Sequence, residues 1–275
     1  MEKTRKAEIS MIIVDGGPSS VDPGFLPPLE RQIYDEMNAG FEPLYYSSMA
    51  DLLFELRLRA QTVKSAEALS QSGIQFSTFN RSRCNDQYWI RTPNGGFQLR
   101  FGITPAEGIR DIFANGELYA TECATAIVII LYKAVLDTIG ENAFNAHFAD
   151  LLLYDWQYDK DLKLYSKKKF KGIYPGDVVY FTNPDYDRQT PWWIGENAVK
   201  LIGDLYYGHG AGIKSEQEMI ESLNEKRFPG SYRSAYLSDD AVGLDYAYIQ
   251  RLTDWNGPML PYSLPPILQS SASPV

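Results

Sequence analysis

The sequence predicts an α+β fold in which one buried, cysteine-bearing helix packs on a mainly antiparallel sheet. Residues 122–138 form an almost wholly apolar run, hydrophobic on every side except near Tyr132 and Lys133. Such a run predicts a central, covered helix. Later runs rich in β-branched and aromatic residues are separated by Pro, Gly and Asp turns, which is typical of antiparallel strands. These strands are predicted at 151–156, 177–182, 198–202 and 205–207.

The first part of the chain is predicted to be scaffold around that helix. Residues 1–10 are interpreted as an N-terminal extension, and residues 16–28 favour extended chain because they contain four prolines and three glycines. Ser47 or Ser48 caps a helix that runs to about Gln71, since leucine and valine recur there at helical spacing.

A hairpin and a capped helix lead to the apolar helix. A strand at 74–79 is followed by strands at 88–91 and 97–101, which flank a Pro-Asn-Gly-Gly turn. Thr104 then starts a helix that ends near residue 116, because proline follows it directly and glutamate occupies the third helical position.

The remaining segments complete one domain. A short helix is predicted from 140 to about 148, and a helix from 215 to 227 begins with a serine cap and a glutamate at the third position. The lysine-rich run 167–171 predicts a solvated loop. Residues 256–275 contain five of the sixteen prolines and predict a tail. Residues 11–255 are therefore expected to form a single domain.

The composition excludes several classes of protein. The chain has 275 residues, 44% of them hydrophobic, which is enough for a large core. Its net charge of −9 does not favour nucleic acid or an anionic membrane surface as a partner. The longest apolar run, 124–131, is far shorter than the roughly 20 residues of a membrane helix, and 11–14 is too short for a signal-peptide core. Two cysteines without zinc-ligand spacing fit a reducing, intracellular compartment.

Cys123 falls in the first turn of the apolar helix, where a thiol can become a nucleophile. A helix start presents unpaired N–H groups and a partial positive charge, which favour thiolate over thiol. Glu122 directly before it would be a costly neighbour for an inert buried thiol. The alternative is that Cys123 is a small buried hydrophobic residue, as a cysteine in an apolar helix often is. Cys84 has two arginines nearby but lies in a loop, and we expect it to be a spectator.

A catalytic cysteine needs a group that accepts its proton. His209 lies in the run Tyr-Gly-His-Gly-Ala-Gly, whose glycines permit close approach of a substrate, although the same pattern also suits a structural turn. Glu196 follows two tryptophans, which would desolvate its carboxylate and raise its pKa, or it is a strand-end residue in a surface turn. His147 is predicted to be a partly exposed residue on a helix.

Four sequence blocks occur in a characteristic order. They are Tyr-Ala-Thr-Glu-Cys-Ala-Thr-Ala-Ile-Val-Ile-Ile from Tyr119, Leu-Tyr-Asp-Trp from Leu153, Gly-Glu-Asn from Gly195 and Gly-His-Gly from Gly208. In order and spacing they resemble the spore-coat protein-glutamine γ-glutamyltransferases of Bacillus-type bacteria, the Tgl transglutaminases. The resemblance covers about residues 11–251 and implies a compact relative of the papain-like and NlpC/P60 folds, with 11–255 as the catalytic domain.

The resemblance also implies the roles of particular residues. Cys123 would be the nucleophile, Glu196 its principal acid/base partner, and Glu122 and His209 supporting or partly redundant partners. Aromatic side chains would wall a narrow tunnel to the thiol: Phe76 and Trp193 at the family's positions, with Trp192 beside them.

The implied reaction joins protein glutamine and lysine side chains through a cysteine thioester. We expect no cofactor and no metal, because the segment 183–188 begins like a calcium-binding loop but has Arg188 where that loop demands glycine. By the resemblance, the partners would be spore-coat proteins in the mother cell, and the enzyme is expected to act as a monomer.

Two alternatives remain open at this point. A cysteine peptidase or amidase of NlpC/P60 type would share the fold, although such enzymes typically place a histidine where this chain has Glu196. A non-catalytic coat-binding or carbohydrate-binding protein would instead use the many tyrosines as a binding surface.

Overall fold

The computed structural model describes residues 11–19, 21–168 and 172–253, so the predicted extension 1–10 and tail 256–275 lie outside the described residues. Within the described ranges the helices are α1 Pro28–Asn38, α2 Met49–Gln71, α3 Pro105–Ala114, α4 Cys123–Ile139, α5 Glu141–His147, α6 Glu216–Asn224 and α7 Tyr246–Leu252. The strands are β1 Ile12–Val14, β2 Gly17–Pro18, β3 Leu44–Tyr46, β4 Gln75–Phe76, β5 Trp89–Arg91, β6 Phe97–Leu99, β7 Ala120–Thr121, β8 Leu152–Leu153, β9 Leu164–Lys168, β10 Val178–Thr182, β11 Gly195–Lys200, β12 Leu205–Gly208, β13 Gly212–Ser215 and β14 Tyr236–Leu244.

The main sheet has six strands in the order β13-β12-β11-β10-β14-β9, and every neighbouring pair is antiparallel. Helix α4 packs against both β11 and α2. Its residues from Ala126 to Ile130 have no exposed surface. The predicted arrangement, a covered helix on a mainly antiparallel sheet, is confirmed, and the rigid α4 fixes the position of its first residue, Cys123.

The helix starts follow their predicted caps. The Ser48 hydroxyl accepts a hydrogen bond from the Asp51 N–H at 3.2 Å, so Ser48 rather than Ser47 begins α2. Thr104 and Ser215 each form a capping box with the glutamate three residues later. These hydrogen bonds satisfy N–H groups that a helix start leaves unpaired. Because the bonded residues are close in sequence, the positions of these helix starts could be predicted.

Two predicted strands are shorter than expected and lie outside the main sheet. The segment 151–156 contributes only β8, which pairs with β6 in a small sheet of β5, β6 and β8. The segment 74–79 contributes only β4, which runs parallel to β7, just before Cys123. The hairpin of β5 and β6 is confirmed, with Trp89 opposite Leu99.

The lysine-rich run 167–171 was predicted to be a solvated loop, which is wrong for its first two residues because they end strand β9, while 169–171 lie outside the described residues. Lys167 lies in β9, and its Nζ is 2.6 Å from the Asp177 carboxylate, which has no exposed surface. Arg59 of α2 binds the same carboxylate at 3.1 Å. Two cations therefore neutralise one buried acid, and this pairing is not visible in the local sequence.

Helix α1 was not predicted, and it begins at the last residue of the proline-rich segment 16–28 that was expected to be extended. Pro28 occupies the first helical position, where the missing N–H costs nothing and the fixed φ favours a helix. Ile33 and Met37 then pack against Leu52 and Leu56 of α2. This tertiary contact stabilises α1.

Candidate active site

Cys123 is the first residue of α4, and Glu122 is the residue that caps this helix. One Glu122 carboxylate oxygen accepts the Ala124 N–H at 2.8 Å and the other accepts the Thr125 N–H at 2.6 Å. The carboxylate therefore occupies the helix-start N–H groups that were expected to stabilise a thiolate.

The surroundings of the Cys123 thiol favour its neutral form. Burial raises its pKa to about 12, and the negative charges of Glu196 and Glu122 act in the same direction. Hydrogen bonds from Asn197 oppose the rise, and the Asn197 Nδ2 donates to Sγ at 3.4 Å. The helix start taken alone favours a thiolate, whereas burial of the sulfur and the two neighbouring carboxylates act against it.

Glu196 lies on β11 and is 1% exposed. Burial raises its pKa from 4.5 to about 7. A hydrogen bond from the Gly210 N–H at 2.9 Å lowers the pKa, and the charge of Glu122 raises it further. A Cβ on Gly208 would lie 2.7 Å from Glu196 Cγ, so only glycine allows β12 to pack this closely on the acid. Glu196 can therefore exchange a proton near neutral pH.

His209 lies between the two glycines that pack on Glu196, and it is almost buried. Its Nε2 is 3.2 Å from the Gln75 carbonyl oxygen, and its Nδ1 is 3.2 Å from the Tyr207 hydroxyl. A carbonyl oxygen can only accept a hydrogen bond, so Nε2 carries the proton and Nδ1 accepts a hydrogen bond from the Tyr207 hydroxyl. Burial lowers the pKa of His209 to about 4. The neutral ring therefore anchors the glycine turn to β4.

An aromatic cavity of about 580 Å³ opens onto the thiol. Phe76 and Trp192 line it together with Cys123 and Glu122. Trp193 lies behind this wall and stacks on Phe76, with ring centroids 5.8 Å apart and an interplanar angle of 21°. The structure thus brings the predicted residues into one region, with Phe76 and Trp192 in contact with the cavity.

Other residues of the cavity had no role assigned from sequence. Asn197 is the third residue of the Gly-Glu-Asn block, and Tyr180 lies opposite it on β10. Asp155 and Trp156 end the Leu-Tyr-Asp-Trp block, and both line the cavity. The Asp155 N–H donates to the Thr125 hydroxyl at 2.8 Å. The blocks contained these residues, but only the three-dimensional structure relates them to the thiol.

Cys84 lies elsewhere, half-buried against the main core. Burial raises the pKa of its thiol to about 11. Within the described residues, no cluster of three or more His, Cys, Asp or Glu side chains is arranged to hold a metal ion. Among the described helices none is both long and apolar enough to cross a membrane.

The family of the chain follows from comparison with known proteins. A family model described as protein-glutamine gamma-glutamyltransferase matches residues 11–253. The chain belongs to the protein-glutamine gamma-glutamyltransferase family. Family members of the same name in Bacillus mycoides (strain KBAB4) and Bacillus cereus (strain B4264) are 47% and 46% identical over 239 residues, which is 86% of each chain. This gamma-glutamyltransferase is therefore an acyltransferase enzyme.

A solved structure shows the same fold. It is described as a transglutaminase from Geobacillus stearothermophilus without its C-terminal extension, and it superimposes with a TM-score of 0.71 at 49% identity. The match covers 74% of this gamma-glutamyltransferase and 98% of the solved chain. The predicted α+β, papain-like fold is confirmed.

Asn197 leads to a first prediction for the gamma-glutamyltransferase. Replacing Asn197 with alanine removes the amide that donates to Sγ and should slow alkylation of Cys123 by iodoacetamide about tenfold at pH 8. A hydrogen bond to a charged group contributes about 1.5 kcal/mol or more. Mass spectrometry of the Cys123 peptide measures this rate. Asn142→Ala, on the exposed surface of α5, is the matched control, and equal rates for both variants would contradict the prediction.

Proposed function

We propose that this gamma-glutamyltransferase is a calcium-independent transglutaminase that works through a Cys123 thioester. Sγ attacks the side-chain carboxamide of a protein glutamine, the C–N bond breaks, and ammonia leaves. A lysine ε-amine then attacks the thioester, the C–S bond breaks, and an isopeptide forms. One observation above all supports this scheme: a thiol at the start of a helix opens onto an aromatic cavity and accepts a hydrogen bond from Asn197, the neighbour of the buried carboxylic acid Glu196.

Glu196 would move the proton in both halves of the reaction. As the carboxylate it accepts the thiol proton while Sγ attacks, and it then gives that proton to the leaving ammonia. In the second half it accepts a proton from the attacking amine and returns one to Sγ. Because Cys123 begins as a neutral thiol, Cys123 and Glu196 together carry only one negative charge beside Glu122. Cys123 and Glu196 then titrate as one unit.

Glu122 and His209 would support this pair in different ways. The Glu122 carboxylate holds the first turn of α4, and its charge raises the pKa of Glu196. The neutral His209 ring holds the glycine turn that donates an N–H to Glu196. We therefore assign His209 a positioning role, and Glu122 a capping role with an electrostatic effect on the proton donor.

The aromatic wall would protect the thioester from water. Water at roughly 55 M competes with lysine, so a transferase has to exclude solvent. Phe76→Ala should shift the ratio of hydrolysis to amine transfer by up to about tenfold, which corresponds to about 1.4 kcal/mol between the two barriers. Parallel assays of released ammonia and incorporated amine give the ratio. Phe101→Ala, at an exposed site away from the cavity, should leave the ratio of hydrolysis to transfer unchanged. An unchanged ratio in Phe76→Ala would show that the aromatic wall does not exclude water.

Calcium independence is supported by the chemistry of the segment 183–188. The Asp185 carboxylate accepts the Arg233 N–H at 3.0 Å and binds the Arg233 guanidinium. An acid neutralised in this way is a poor ligand for a hard cation. The net charge of −9 favours lysine-rich protein partners. The spore coat is the setting that the family resemblance implies, and we propose that a monomer acts there on coat proteins.

One assay tests the proposed function. The protein is incubated with a glutamine-bearing protein and a tagged primary amine, in parallel with and without a calcium chelator. Covalent tagging with release of ammonia is expected. Ammonia or peptide release without tagging would indicate a hydrolase of the same fold, and neither product would indicate a binding protein. Loss of tagging on addition of the chelator would contradict calcium independence alone.

A further inference from the structure

A second cavity continues from the thiol cavity along the sheet. It has a volume of about 280 Å³ and shares Trp156 and Val242 with the thiol cavity. We call it the aromatic groove and define it by its lining residues: Trp156, Tyr158, Leu164, Tyr165, Ser166 and Val242. Tyr158 and Tyr165 are 40% and 37% exposed. The groove is therefore open to a substrate that already occupies the thiol cavity.

The order of the strands gives the length of this path. Asn197 on β11 contacts the thiol, and Ser166 on β9 lines the groove. The order β11-β10-β14-β9 places three strand spacings between them, which at about 4.8 Å each amounts to about 14 Å. An extended peptide rises about 3.3 Å per residue, so about four residues cover the distance.

The charges along the path distinguish the two substrates. Among the described residues that line the groove none carries a formal charge. The thiol cavity, in contrast, is lined by the carboxylates of Glu122 and Asp155, which suit the cationic lysine of the acyl acceptor. A neutral, aromatic surface instead suits the apolar flank of the neutral glutamine side chain.

We propose that the aromatic groove binds an apolar or aromatic side chain about four residues from the reactive glutamine of the acyl-donor protein. The assignment rests on the proposed transglutaminase function and adds a preference in the substrate sequence. The two exposed tyrosines would cover the side chain, and the shared Trp156 and Val242 would guide the intervening backbone. A peptide with phenylalanine in this position should show about tenfold higher kcat/KM than its alanine counterpart, since the ring adds both buried apolar area and aromatic contact.

The test compares three kinds of glutamine substrate. Peptides carry phenylalanine or alanine four residues before or after glutamine, and a small blocked glutamine compound without flanking residues does not reach the groove. The double variant Tyr158→Ser, Tyr165→Ser should lose the preference for phenylalanine, measured relative to the small compound. Tyr232→Ser, another exposed tyrosine outside the groove, should keep it.

Each other outcome has a definite meaning. Turnover of all peptides without a preference, or a preference that survives the double variant, would overturn the groove assignment alone. A preference that appears only when phenylalanine flanks the lysine of an acceptor peptide would overturn the choice of the acyl donor. Failure of the wild-type enzyme to turn over any of the glutamine substrates would overturn the proposed function and the groove assignment with it.

Discussion

Replacing Cys123 with alanine should abolish incorporation of a primary amine into a glutamine-bearing protein, with a loss of at least about 10⁴-fold. The reason is chemical: without Sγ no thioester forms, and neither half of the reaction has a covalent intermediate. Incubation of the wild-type enzyme with a glutamine substrate and no amine should give an acyl adduct on Cys123, visible in the intact mass. The alanine variant should show no adduct.

Cys84→Ala provides the matched control for this experiment. Cys84 is half-buried, and its Sγ lies 3.9 Å from the Trp89 carbonyl oxygen, away from the aromatic cavity. Truncating it removes one sulfur from the edge of the core, which should cost stability but leave the rate within a factor of about two. An inactive Cys84→Ala enzyme, or an active Cys123→Ala enzyme, would show that the nucleophile is wrongly assigned.

The sequence predicted the parts of the fold whose signals are local. The capping boxes at Thr104 and Ser215 mark helix starts because the interacting residues are three apart. Helix α4 is recognisable because it is apolar on nearly all sides. Helix α1 and strand β9 were missed because their stability depends on distant partners, namely the face of α2 and the buried carboxylate of Asp177.

The chemistry of the site was less predictable than its location. The sequence places Glu122 beside Cys123 but does not show that its carboxylate caps α4. Nor does it show how far the sulfur is buried, and burial, followed by the charges of Glu196 and Glu122, raises the pKa of the Cys123 thiol. Likewise, the aromatic wall was expected, but the stacking of Trp193 behind Phe76 depends on how the turn before β11 folds onto β4. Properties that arise from desolvation and long-range contact are not encoded in spacing.

Glu196→Gln should reduce kcat by about 10²- to 10⁴-fold, because an amide cannot accept and return the proton. The wild-type kcat/KM for a glutamine substrate should rise with pH through about 7, since burial raises the pKa of Glu196 to that value and the carboxylate is the active base. The variant should lack this rise. A wild-type profile that is flat between pH 5 and 8 would contradict the role of Glu196, and so would a variant with an unchanged profile.

The same variant should be more stable than the wild type at pH 8, which separates loss of catalysis from loss of folding. The pKa of Glu196 is 4.5 as a free side chain and about 7 when folded, so between these values the folded state binds the proton more tightly. Stability is therefore lost as pH rises through this window, by about 3 kcal/mol at its upper end. Glutamine has the same shape, can still accept a hydrogen bond from the Gly210 N–H and carries no charge.

Urea unfolding should show equal stability of the wild type and Glu196→Gln near pH 4.5, and a growing advantage for the variant towards pH 8. Glu225→Gln, at an exposed helix end, should show no such trend. If the variant lacked this pH-dependent advantage, burial would not destabilise the Glu196 carboxylate. The raised pKa on which its proposed role as the base for the thiol proton depends would then be wrong.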